Sequence, residues 1–323
     1  MKRFSLLLAS AAAMIAAPLA AETIAITGGK LVIGDGSAPI EGGTVVISND
    51  RVVAAGANVP IPSNARRIDA TGKWVTPGVF AGFSRIGLVE VGAVSQTNDM
   101  NASGSPFSAA LDVQYAINPF ASAVAVNRAA GVTRAVVSPS TSGSIFGGYG
   151  AIVDLGQDED AITQARSFQF VELGETGHSR AGGSRSASHV QFRAMLEEAR
   201  TYARNPAAFD SDLLKASDAK ALLPVINGST KLLVHVESAN DILKVLSDLP
   251  YGFEDLAATQ SNIGRMKAAG VKVAIGMIND RDAHQLRYST QYAGNLVALN
   301  KVPRATGLSW NEAFAAISSV PAE

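Results

Sequence analysis

Residues 22–76 alternate apolar and polar side chains in the manner of half-buried strands. The two-residue period runs through TIAITGGKLVIG and TVVISNDRVVAAG, so every second side chain faces the same way. Asn49 and Asp50 stand between the β-branched runs of the second segment, where they predict a tight hairpin turn. Glycine pairs and prolines punctuate the remaining short runs. The pattern predicts a β-rich domain over residues 22–76.

From about residue 77 onwards, short apolar runs alternate with helical patterns. VTRAVVSP, KLLVHVES and VKVAIG have the length and composition of buried strands, and helical segments lie between them. The longest of these, ASHVQFRAMLEEARTYAR, places five apolar side chains on one helical face: Phe192, Met195, Leu196, Ala199 and Ala203. The repeated β-then-α order predicts an α/β fold with a parallel sheet over residues 77–323.

Local signals add detail to this second part. Ser309 and Glu312 form the S-x-x-E capping box of a last helix, and Asn240 or Asp241 is expected to cap the helix in ANDILKVL. GSIFGGYG is expected to be a glycine-rich loop after the strand RAVVSP. It lacks the G-K-[ST] ending and the glycine spacing of nucleotide-binding loops. SRAGGSRSAS is the most loop-like stretch of the chain.

The first residues have the pattern of a secretory signal peptide. Lys2 and Arg3 precede the apolar run LLLASAAAMIAAPLAA, which ends in small residues, so cleavage is expected near Ala20 or Ala21. A membrane anchor is the alternative, but the run is shorter than the ~20 residues that a span requires. We therefore expect residues 1–21 to be removed and the mature protein to be exported, to the periplasm in a Gram-negative host.

Composition excludes several classes of function. The 323-residue chain has no cysteine, which rules out disulfides, thiol nucleophiles and cysteine-ligated zinc or iron–sulfur sites. Its formal net charge is −1 and 17% of its residues are charged, so no basic surface predicts a nucleic-acid partner. The expected partner is a small-molecule substrate or ligand.

The segment IDATGKWVTPGVFAGFSRIG resembles the amidohydrolase superfamily. There, a small β-sandwich leads through D-A-x-G-K-x-V-x-P-G into the first strand of a (β/α)₈ barrel, which ends in D-x-H-x-H. ALLPVINGSTKLLVHVESANDILKVL is similar to the fifth-strand region of imidazolonepropionase-like exported members. The resemblance implies a TIM-like barrel, complete or incomplete, over residues 77–323 and a sandwich-like piece over residues 22–76. It also implies metal-dependent hydrolysis of carbon–nitrogen bonds.

Alignment of this chain with the D-x-H-x-H motif of the family shows that several metal-ligand residues are replaced. Ala81 falls on the usual aspartate, and Phe83 and Arg85 fall on the two histidines. A phenyl ring and a guanidinium cannot bind zinc in the usual way. His235 matches the fifth-strand histidine ligand, with a buried histidine bonded to a neighbour as the alternative. Asp280 is the nearest counterpart of the aspartate that handles the proton of the metal-bound water.

The enzyme hypothesis therefore needs one divalent metal, zinc in the family, held by His235 and by carboxylates. Glu172 and Glu175 close the predicted fourth strand, where either could be a ligand or an ordinary charge at a strand end. We assign Glu175 and His235 as metal ligands and Asp280 as the general base. Arg85 has three interpretations: a structural ion pair, a replacement for the metal's charge, or a site for a substrate carboxylate or phosphate.

Chain length indicates a shortened architecture. Only about 35 residues separate His235 from VKVAIG, whereas each βαβ unit takes ~30 or more. A strand–helix unit is expected to be missing after Leu246. The sequence also ends at SSVPAE, where family members return to complete the β-sandwich. Either the barrel is incomplete or the sequence comes from a deletion, a fragment or a redesign; a missing unit would leave strand edges unpaired and the chain unstable.

Two functional hypotheses remain open on the sequence alone. In the first, the protein is a hydrolase of carbon–nitrogen bonds whose activity is impaired by the lost ligands. In the second, it is a non-catalytic binder of a small molecule or anion, with no metal. In that case it acts alone, as a homo-oligomer, or as a partner subunit for an active paralogue.

Overall fold

The computed structural model describes residues 22–238, 241, 242, 245, 262–276, 283–303 and 305–323. The chain divides into two compact units, one of residues up to 33 with 38–76, the other of 34–37 with 77–323. The predicted signal peptide lies outside the described residues. Among those described, no helix has the length and hydrophobicity needed to cross a membrane.

The first unit is built on one sheet with the strand order β3-β2-β1-β4, in which β5 also pairs with β1. Its strands are β1 (Ile24–Leu31), β2 (Ile40–Ser48), β3 (Arg51–Gly56), β4 (Arg66–Asp69) and β5 (Trp74–Val75). Asn49 and Asp50 join β2 to β3 with φ angles of 52° and 58°, the left-handed pair that a type I′ turn requires. The predicted hairpin is thus confirmed, and the sandwich stays a prediction.

The second unit contains a five-stranded sheet with the order β10-β9-β8-β7-β6. Its strands are β6 (Val79–Ser84), β7 (Val132–Val137), β8 (Phe146–Asp154), β9 (Ile162–Glu172) and β10 (Lys231–His235). β6 runs parallel to β7 and β9 parallel to β10, but β8 is antiparallel to both of its neighbours. The prediction of a purely parallel sheet is therefore wrong at β8, and the unit is a mixed α/β structure.

The glycine-rich segment GSIFGGYG is not the loop that its composition predicts, because β8 begins at Phe146 within it. Its glycines are needed for close packing inside the sheet. A Cβ on Gly150 would clash with the ring of Phe168 on β9, and one on Gly148 would lie 2.5 Å from the carbonyl oxygen of Leu111.

Helices flank this sheet along the chain. The described ones are α1 (Ser122–Ala129), α2 (Glu175–Arg180), α3 (Arg185–Arg204), α4 (Ala216–Ile226), α5 (Asn262–Ala268), α6 (Ser289–Ala298) and α7 (Trp310–Ala315). The Ser309–Glu312 capping box of α7 is confirmed, with both of its reciprocal hydrogen bonds formed. On α3, Met195 and Ala199 are buried as predicted. Ala203 is exposed, and Tyr202 packs against the core instead.

Three local predictions are corrected. SRAGGSRSAS is largely helical, since α2 ends at Arg180 and α3 begins at Arg185. Ser238 caps the turn after β10, because its Oγ accepts from the Asp241 N–H at 3.1 Å. VKVAIG forms no strand. The Ile275 N–H donates to the Ala316 carbonyl at 2.9 Å, and the Ile275 carbonyl accepts one bond from the Gly82 N–H of β6 at 3.4 Å, which does not extend into a ladder.

The two faces of the sheet carry separate apolar clusters. One face packs on α1, α3 and α4 through residues such as Val137, Val171 and Met195. The other face carries the cluster Phe80, Phe83, Val136, Phe168 and Phe170. Successive side chains of a strand point to opposite faces of the sheet, and this alternation separates the two apolar clusters. The aromatic face is the one beside which the polar groups described below are found.

Candidate metal centre

Glu172 and His235 close two adjacent parallel strands at the same end of the sheet. Glu172 is the last residue of β9, His235 is the last of β10, and the two are register partners. Their side chains therefore lie side by side, with His235 Nδ1 2.6 Å from Glu172 Oε2. The Glu172 side chain is only 3% exposed and that of His235 is 16% exposed. The sheet thus holds a partly buried imidazole paired with a buried carboxylate.

Glu237 adds a second carboxylate to this pair. Glu172, His235 and Glu237 each offer a ligand atom, and these atoms lie within 4.8 Å of one another. Glu237 is two residues beyond His235, in the bend that follows the end of β10. The same spacing is readable in the sequence as the letters H-V-E, although the family motif points to His235 alone. Glu237 is therefore a candidate ligand that the sequence-based assignment missed.

The first residues of α2 hold Glu237 in place. Its Oε2 accepts from the Glu175 N–H at 2.6 Å, and its Oε1 accepts from the Thr176 N–H at 3.2 Å and from Thr176 Oγ1 at 3.1 Å. Gly174 makes room for this contact, because a Cβ there would clash with Glu237 Oε2. An ionised carboxylate has about four acceptor sites, so one remains for a cation.

Opposing influences act on the imidazole. Burial lowers the pKa of His235, while the hydrogen bond and charge of Glu172 and the charge of Glu237 raise it, and the net shift of its pKa is upward. With Nδ1 facing Glu172, the neutral ring donates Nδ1–H to the carboxylate and keeps its lone pair on Nε2. This is the usual state of a histidine that ligates a metal.

Phe83 and Arg85 are both buried beside the pair. The Phe83 ring lies 6.2 Å from the His235 ring at 22° and 5.9 Å from the Phe170 ring. Arg85 is 5% exposed. Burial lowers its pKa to about 10, against the attraction of Glu172, so the guanidinium is charged at neutral pH. A fixed positive charge therefore stands where the family resemblance would place a metal-binding histidine.

Of the other two residues assigned from the sequence, Glu175 lies away from the metal centre and Asp280 is outside the described residues. The Glu175 carboxylate does not join His235: Oε1 lies 3.4 Å from Arg185 Nη2, and the side chain is 65% exposed. Only the backbone N–H of Glu175 reaches the site, through Glu237. Within the described chain, Glu172 and Glu237 are the carboxylates near His235. Asp280, and the residues after Leu246 where a unit is expected to be missing, lie outside the described residues.

The donor set fits one divalent cation. One imidazole and two carboxylates suit a divalent ion, and their two negative charges match its charge. The Arg85 guanidinium beside Glu172 adds repulsion to any cation bound there, and this repulsion is greater for two ions than for one. The residues present therefore form a possible metal-binding triad on the sheet edge.

Neither a protein-family model nor a curated protein matches the sequence. Solved structures do match the fold. An amidohydrolase from Thermotoga maritima MSB8 superposes with a TM-score of 0.69 at 20% identity, over 93% of this chain and 88% of that one. A second amidohydrolase (TM-score 0.48, 14% identity, 93% and 86% covered) and a molinate hydrolase (0.46, 17%, 94% and 85%) are more distant. The chain therefore has the fold of the amidohydrolases, as its sequence resemblance implies.

Proposed function

We propose that this protein is a hydrolase of carbon–nitrogen bonds in a small molecule, working with one divalent cation held by Glu172, His235 and Glu237. The observation that carries the proposal is the convergence of these three groups within 4.8 Å at the ends of β9 and β10. The amidohydrolase fold supports it. Zinc is the cation proposed, because imidazole and carboxylate are among its usual ligands.

Each residue has a distinct part in this proposal. A bound divalent cation supplies a water of lowered pKa and polarises the scissile carbonyl. Glu172 orients the imidazole of His235 through the 2.6 Å contact of its Oε2 with Nδ1, and its remaining acceptor sites would serve the cation. Thr176 and the Glu175 N–H orient Glu237. Asp280 remains our proposed general base.

Arg85 is proposed to bind the substrate. Its guanidinium is buried beside Glu172 and close to Phe83, so an anionic group of the substrate would meet it in a region of low dielectric. A carboxylate or phosphate fits the planar fork of donors. We therefore propose a substrate that carries both an amide-like carbon–nitrogen bond and an anionic group.

A second candidate function is favoured by the same two side chains. Phe83 and Arg85 occupy the positions of two ligands in the family motif, and Phe83 covers one face of His235. A protein that binds an anion without catalysis would need Arg85 and no metal. Such a binder could act as a homo-oligomer or as the partner of an active paralogue. Export to the periplasm is proposed for either function.

Metal analysis distinguishes the metal-dependent hydrolase from the non-catalytic anion binder. Protein purified without chelators is expected to hold close to one zinc per chain, and His235→Gln is expected to hold none. The loaded protein is then assayed on N-acyl amino acids and cyclic amides that carry a carboxylate, with Arg85→Ala as the comparison. Absence of bound zinc, with carboxylate ligands still bound through Arg85, would decide for the binder.

A further inference from the structure

A bulge in β9 redirects one arginine away from the sheet. The pairing of β8 with β9 changes register between Gly150, opposite Phe168, and Ile152, opposite Gln164. Arg166 lies in the extra length of β9, with φ at 51° in the left-handed region that disfavours residues with a Cβ. Bulges of this kind re-aim side chains, and strained positions of non-glycine residues recur at ligand clamps.

The redirected guanidinium is fixed in place by two neighbours. Arg166 Nε donates to Asp112 Oδ2 at 2.5 Å, and the Asp112 side chain is 3% exposed. Its central carbon lies 5.3 Å from the centre of the Tyr149 ring, which is itself anchored by a 2.6 Å hydrogen bond to the Ala221 carbonyl. The side chain is therefore pre-organised although it is 56% exposed.

These contacts leave most of the N–H donors of Arg166 without a hydrogen bond to the residues described. Asp112 takes only Nε, and within the described part of the chain the two Nη groups donate no hydrogen bond to the protein. They border a cleft of about 350 Å³ between the β8–β9 bulge and α4, which Ser217 and Lys220 also line. Asp112 is already occupied, since it also accepts two bonds from Gln114. The cleft thus presents two cations, Arg166 and Lys220, and the hydroxyl of Ser217.

We propose that this cleft is a second binding site, which takes a small oxyanion, either a carboxylate or a phosphate. The free fork of Arg166 suits two oxygens of one anionic group, and Lys220 supplies a point charge beside it. Ala110 and Pro224 give an apolar surface for the remainder of such a ligand. The site is separate from the metal centre, because Glu172 lies six residues further along β9, roughly 20 Å in an extended chain.

Titration calorimetry with inorganic phosphate and with benzoate tests the proposal on the full chain. Arg166→Gly is the informative variant, because glycine adopts the left-handed conformation without strain and removes the guanidinium. We expect the dissociation constant for phosphate or benzoate to rise at least tenfold in Arg166→Gly, and several-fold in Lys220→Ala. Tighter phosphate binding indicates a phosphorylated ligand, and tighter benzoate binding indicates an aromatic carboxylate.

Lys301→Ala, which removes an exposed lysine from another part of the chain, is the matched control and should bind as the parent does. Melting curves establish that each variant is folded. Unchanged affinity in folded Arg166→Gly overturns the proposal, and so does the absence of binding of either anion to the parent protein at millimolar concentration.

Discussion

Burial and neighbouring charge act in opposite directions on His235, and the outcome depends on single atoms. The carboxylates of Glu172 and Glu237 outweigh desolvation, so the pKa of the imidazole is raised. A proton on His235 therefore stabilises the metal-free folded protein, whereas a metal must displace that proton. Opposite pH trends are expected for the two states.

The stabilisation from protonated His235 should depend on pH. A raised pKa in the folded state means that this stabilisation is complete below the ordinary histidine pKa, ~6.5, and disappears as pH rises through the folded-state pKa. In chelated protein, we expect the loss of unfolding free energy in His235→Gln to be larger at about pH 5.5 than at about pH 8.5. Urea unfolding at both pH values measures it. Glu172→Gln should remove the same pH-dependent part, and a loss that is equal at both pH values would contradict the assignment.

Gly174 is needed because Glu237 approaches it too closely for a side chain. In Gly174→Ala, the added Cβ clashes with Glu237 Oε2 and displaces the carboxylate. We expect a loss of about 1–3 kcal/mol in unfolding free energy and weaker metal binding. Gly294→Ala in α6 is the control, since beyond its own stretch of helix no atom of the described residues lies within 4 Å of its added Cβ. It should be neutral or stabilising by up to about 1 kcal/mol. Full metal affinity in Gly174→Ala would remove Glu237 from the ligand set.

At the scale of elements, the metal centre depends on two chain segments that leave the sheet. One follows β9 and leads into α2, and the other follows β10. Arg185, at the start of α3, joins them: its Nε donates to Asp241 Oδ1 at 2.7 Å and its Nη2 lies 3.4 Å from Glu175 Oε1. The pKa of Asp241 is lowered, because hydrogen bonds from Ser238 and Arg185 outweigh its burial. Arg185 is thus a positioning residue rather than a ligand.

Loss of this connection should weaken the site without unfolding the protein. In Arg185→Gln we expect zinc affinity to fall roughly tenfold, as is usual when a group that orients a ligand is removed. Arg204→Gln is the control, since the contacts of Arg204 within the described residues are exposed ones with Glu197 and its own helix. Competition with a chromogenic chelator measures both. If the two variants bind zinc equally well, Arg185 has no positioning role.

The local sequence pattern predicts a turn or a helix cap correctly where neighbouring residues alone determine it. The Asn49–Asp50 turn and the α7 capping box follow from neighbouring residues alone, and both are confirmed. β8 was missed because its glycines are required by Phe168 on another strand, a contact that no local rule contains. The choice between Glu172 and Glu175 likewise depends on the register of β10 against β9. Long-range packing, rather than weak propensity, accounts for these errors.

At the scale of the whole molecule, all three proposed ligands belong to the second compact unit. An ion that binds only the folded state stabilises the unit that holds it, by about 2.7 kcal/mol at a hundredfold excess over its dissociation constant. Calorimetry of the full chain should therefore show a zinc-dependent rise in the melting temperature of the transition that involves this unit. Where the first unit melts separately, its transition should not move. His235→Gln, which lacks the imidazole ligand, should show no rise with zinc, and chelator should return the parent to the melting temperature of the metal-free state. An equal rise in the parent and in His235→Gln would place the zinc elsewhere, and the proposed hydrolytic centre would then have no metal at Glu172, His235 and Glu237.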